Sequence, residues 1–82
     1  MTREELKQYR ATEDKSVRLA IELAVAQIRD AEVRRAVEYR YLKGSMKPTW
    51  VQVTKQIYPT MPREFVRRYS DTVRKKVERF LK

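Results

Sequence analysis

The stretch 49–82, TWVQVTKQIYPTMPREFVRRYSDTVRKKVERFLK, decides how the chain folds. Thr49 and Gln52 have the capping-box spacing, in which a hydroxyl and a glutamine side chain satisfy two of the free N–H groups at a helix start, so a helix is expected over 50–57. Trp50, Val53 and Ile57 share one face of it, which makes the indole a core anchor rather than a base-stacking platform. Tyr58, Pro59, Thr60, Met61 and Pro62 then interrupt the pattern. Pro62 suits the first turn of a following helix, where its missing N–H is not needed, and Thr60 is placed to cap that helix. From Arg63 onward Phe65, Tyr69, Val73, Val77 and Phe80 recur at helical spacing and are the expected core face. Glu64, Arg67, Arg68, Asp71, Arg74 and Lys75 then point outward.

Toward the N-terminus, Gly44 reads as the left-handed stop of a helix over 31–43 that begins at the N-cap Asp30 and turns Val33, Ala36, Val37 and Tyr41 inward. Ser45, Met46, Lys47 and Pro48 form a loop. Thr12, followed by Glu13 and Asp14, signals an earlier helix start, and Val17, Ile21, Ala24, Val25 and Ile28 make its core stripe. Leu19, Leu23 and Ala26 lie on the opposite side of that helix. Two coverings stay open for them, the first helix or a second copy of the chain. Thr2 and Glu5 suggest a capping box for a short polar helix over 3–10. With one Gly, three Pro and little period-2 alternation, the expected fold is all-α, a small bundle of four to five helices containing a helix–turn–helix. It forms a single domain, 1–82: a short N-terminal helix or arm over 1–11, two supporting helices within 12–44, and a basic helix–turn–helix over 45–82.

Composition narrows the function. The chain has no Cys and no His, which removes disulfides, soft-ligand metal sites and Cys–His or Ser–His pairs; no enzyme activity and no cofactor are expected. The longest mostly apolar run, 19–28, contains Glu22 and Gln27 and is too short to span a membrane, and the first residues lack a signal-peptide core, so a cytoplasmic protein is expected. Net charge is +9, and residues 45–82 carry 10 of the 20 Lys and Arg against 3 of the 11 Asp and Glu. A polyanionic partner follows, and a positive second helix after a tight turn suits the major groove of double-stranded DNA. Arg63, Arg67 and Arg68 are the base-edge candidates, because Arg suits bidentate contact with guanine; Ser70, Asp71 and Arg74 are further candidates. Lys47, Thr49, Gln52, Lys55, Thr60, Lys75 and Lys76 are the phosphate candidates. Asp71 could instead orient Arg67 or Arg74 across one helical turn.

The run 28–44, IRDAEVRRAVEYRYLKG, followed by Thr49, Trp50, Val51, Gln52 and Val53, resembles phage-encoded transcription activators of the RinA/ArpU type, which are themselves similar to region 4 of bacterial sigma factors. The likeness covers 28–82, and the first ten residues more loosely. It implies a phage or prophage regulator binding promoter DNA, with Arg63, Arg67 and Arg68 where such families place recognition-helix contacts. This chain lacks the long coiled segment of that family, has a longer loop at Met46, Lys47 and Pro48, and carries Tyr58 and Pro59 where the family has Gly. Two other classes compete: a phage protein using the basic surface against host RNA polymerase or another host protein or nucleoprotein complex, and a packaging protein like a small terminase subunit.

Overall fold

Short polar side chains set most of the helix starts in a computed structural model that describes residues 1–43 and 48–81. The Thr2 hydroxyl accepts from the Glu5 N–H and opens α1, Arg3–Ala11; the Asp14 carboxylate accepts from Ser16 and Val17 and opens α2, Lys15–Ala26. Asp30 does the same for Glu32 and Val33 at the head of α3, Ala31–Val37, which runs on into a π-helical turn, Glu38–Leu42. Thr49 and Gln52 form the complete capping box of α4, Trp50–Ile57. The last helix, α5, is Arg63–Phe80. The described residues are thus all-α, and none of their helices is long and apolar enough to cross a membrane.

Two expected boundaries are corrected. Thr12 ends α1 rather than starting α2, because its hydroxyl accepts from the Asp14 N–H and leaves the carboxylate one turn on to cap. Pro62 occupies the N-cap position itself, and α5 has no side-chain cap, so Thr60 does not serve as one. Gly44, read as the stop of the third helix, lies outside the described residues, as does Lys47.

One core joins every helix, from Leu6 in α1 to Leu81 just past α5, with Leu6, Val25, Val37, Val53, Val73 and Val77 fully buried. The third-helix stripe is as expected: Val33, Ala36, Val37 and Tyr41 are all buried. In α2, Ile21 and Val25 are buried, as is Ile28 just beyond it, whereas Ala24 is exposed. Leu19 and Leu23 are each 55% exposed. The first helix therefore leaves them uncovered; it packs where Leu6 enters the core, the Tyr9 hydroxyl donates to Glu22, and Arg18 stacks over the Tyr9 ring at 4.6 Å.

The largest departure is in α5. Its buried residues are Val66, Ser70, Val73 and Val77, while Phe65 is 58% and Phe80 37% exposed. At 100° per residue, the core face is turned by about 50° from the stripe of Phe65, Tyr69, Val73, Val77 and Phe80. Close packing of α5 on α4 favours the smaller side chains at the contact. Ser70 meets that demand at little cost, since its hydroxyl donates to the Arg67 carbonyl at 2.7 Å and is not left unpaired.

Candidate nucleic-acid interface

A half-buried carboxylate links α3, α4 and α5. Glu32, in the first turn of α3, accepts through Oε2 from the hydroxyls of Tyr58, at the end of α4, and Tyr69, in α5, the latter at 2.7 Å. Its Oε1 has the Lys76 ammonium at 3.1 Å, and Lys76 also reaches Asp30 at 3.2 Å. The Tyr58 and Tyr69 rings meet edge to face, 5.7 Å apart. Burial pushes the Glu32 carboxyl up, but the two hydroxyls and Lys76 outweigh it and hold it below its ordinary value of 4.5. The same contacts raise the phenols of Tyr58 and Tyr69 and the ammonium of Lys76, because each is most stable with its proton facing the carboxylate. Sequence reasoning missed this clamp, since Glu32 looked like one more acid on an Arg-rich helix.

The α4 end of the site is built by its capping box. The Thr49 hydroxyl accepts from the Gln52 N–H at 3.2 Å and the Thr49 N–H donates to Gln52 Oε1 at 3.0 Å, so that amide is already satisfied. Behind it, half-buried Trp50 packs against the core under the Arg40 guanidinium, 4.5 Å from the ring centroid, and Arg40 also donates to the Pro48 carbonyl. Val53 and Ile57 are buried as the phase of Trp50 requires.

The candidate contacts now divide into two groups. Arg63, Arg67 and Arg68 are exposed and make no ion pair among the described residues. Arg68 points within about 10° of directly away from the core, with Arg67 about 90° to one side and Arg63 further round toward α4. Arg63, Glu64 and Arg67 border one shallow hollow; Arg63 also borders an apolar one with Val51, Gln52, Lys55 and Val66.

The second group is committed within the fold. Ser70 is buried and cannot reach a groove, which corrects its assignment as a base contact. Lys76 is held by Asp30 and Glu32, which corrects its assignment to phosphate. Asp71 pairs with Arg74 at 2.6 Å and Lys75 at 3.1 Å, and Arg74 also faces Glu78 at 3.6 Å. Hydrogen bonds from Arg74 and Lys75 hold the Asp71 carboxyl below its ordinary range. Asp71 therefore orients Arg74 rather than Arg67. Lys55 donates to the Met61 carbonyl at 3.2 Å and, like Thr60, stays exposed beside the turn. Comparison with protein-family models, curated proteins and solved structures finds no match to the chain.

Proposed function

We propose that the protein binds double-stranded DNA sequence-specifically, with α4 and α5 acting as a helix–turn–helix and α5 lying in the major groove. The observation that carries this reading is the grouping along α5: Arg63, Arg67 and Arg68 in its first turns are exposed without an ion-pair partner among the described residues, while Arg74, Lys75 and Lys76 are matched by Asp71, Glu78, Asp30 and Glu32, leaving Arg79 in the last turn as the one later cation of the described helix without such a partner. Recognition helices read base edges from their N-terminal residues, and unpaired guanidinium groups are the side chains suited to guanine O6 and N7.

In this reading Arg67 and Arg68 meet bases, and Arg63, Lys55, Thr49 and Thr60 line the flank where a phosphate strand would run. The resemblance to RinA/ArpU-type activators supports reading such binding as that of a phage or prophage promoter regulator in the cytoplasm, where contact with RNA polymerase would follow.

Selection of bound sequences from a random DNA pool tests the proposal. A defined site should emerge. With Arg63 and Lys55 each neutralising a phosphate, its binding should weaken about tenfold between 50 and 200 mM salt. Recovery of no preferred sequence, or affinity indifferent to salt, would remove it.

A further inference from the structure

Phe65 is 58% exposed on the third residue of α5, one helical turn before Arg68 and two before Thr72. Together with Met61 and Tyr69 these residues line a shallow, mostly apolar hollow of about 290 Å³. Phe65 stands about 70° from the outermost line of α5, on the opposite side of Arg68 from Arg67. Phe65 lies about 60° round the helix from Arg68, so a helix that docks with Arg68 foremost carries the phenyl ring against the same surface. A single ring bordered by Arg68 and Thr72 is far smaller than the roughly 800 Å² per partner that a stable protein interface needs. On the floor of the major groove, the apolar feature of matching size is the C5-methyl of thymine.

Resting on the DNA-binding reading above, we infer that Phe65 is a specificity residue that recognises a thymine methyl beside the base read by Arg68. Side chains three apart on a helix are about 5–6 Å from each other, and base pairs are stacked about 3.4 Å apart, so the thymine lies one or two steps from that base. Phe65 discriminates thymine from cytosine by the methyl alone. Arg68 supplies the hydrogen bonds.

The test uses the full chain and the site recovered from the random pool. Each thymine is replaced in turn by deoxyuridine, which pairs identically but lacks the methyl group. One position, within two base pairs of the one whose preference relaxes in Arg68→Ala, should lose about fourfold in affinity, the worth of one buried methyl. Phe65→Ala, which melts like the parent because the ring is exposed, should bind the intact and substituted sites equally, and Phe65→Leu should restore most of the difference. If no thymine position matters, or the deoxyuridine penalty survives in Phe65→Ala, Phe65 does not read a methyl, while DNA binding itself stands. If the pool yields no bound sequence, the proposed function and this inference fall together.

Discussion

Replacing Glu32 by Gln keeps the shape of the clamp and removes its charge. Glu32 is 10% exposed at its side chain and faces two phenols and one ammonium. Hydrogen bonds to a charged group contribute about 1.5–3 kcal/mol each, but the amide still accepts from a tyrosine, and Lys76, 36% exposed, can return to water and to Asp30. The net loss is about 2–3 kcal/mol, against a total of about 4–12 kcal/mol for a chain of this size. At about 4–8 °C per kcal/mol, Glu32→Gln should melt about 8–24 °C below the parent at pH 7, followed by far-ultraviolet circular dichroism. The folded-state pKa of Glu32 lies below its ordinary value, so its contribution is present above about pH 4.5 and is lost as pH falls through the folded value. The gap between parent and variant should therefore narrow on acidification from pH 4.5. A variant that melts within two degrees of the parent at pH 7, or a gap undiminished by acid, would refute the clamp.

At the α5 surface, Arg68→Ala and Arg67→Ala should each cost about 1–3 kcal/mol on the selected site and relax preference at one base pair; an equal loss on all sequences would make the residue a phosphate contact instead. Trp50→Ala should destabilise by about 2–3 kcal/mol in urea unfolding, less than a fully buried Trp would, because the indole is half-buried and part of its contact is the Arg40 stack. An unchanged midpoint would remove Trp50 from the core. With α1 packed elsewhere, the exposed Leu19 and Leu23 strip is expected to seat a second copy of the chain, and Leu19→Lys with Leu23→Lys should convert dimer to monomer by light scattering; a parent of monomer mass on and off DNA would exclude this.

Where a single local rule governs, the sequence was legible. Asp30 caps α3, Thr49 and Gln52 box the start of α4, and Val33, Ala36, Val37 and Tyr41 face inward, because caps and an uncontested stripe depend on neighbours within one or two turns. α5 offers two overlapping stripes that share Val73 and Val77. Weight of aromatic surface favours Phe65 and Phe80, whereas the close approach of α4 selects Val66 and Ser70, and that approach is a tertiary fact. The same shift removed Ser70 from the candidate surface and brought Phe65 onto it. Lys76 was misassigned for a related reason: its partners Asp30 and Glu32 lie more than forty positions earlier and reach it only through the fold.

The bracing of the first helix bears on how the chain is made. Leu6 is wholly buried, and Arg10 reaches across to donate to the carbonyls of Arg40 at 3.2 Å and Lys43 at 2.9 Å, closing the end of the π-helical turn. Those acceptors leave the ribosome some thirty residues after Arg10 does, and the helices that pack on α1 are α2 and the π-helical turn. The first helix thus packs on elements that precede α4 and α5, while α3 and the π-helical turn themselves pack on those later helices. A nascent chain in which α5 has not yet been made would leave the faces of α3 and α4 that pack on it exposed for chaperones to find.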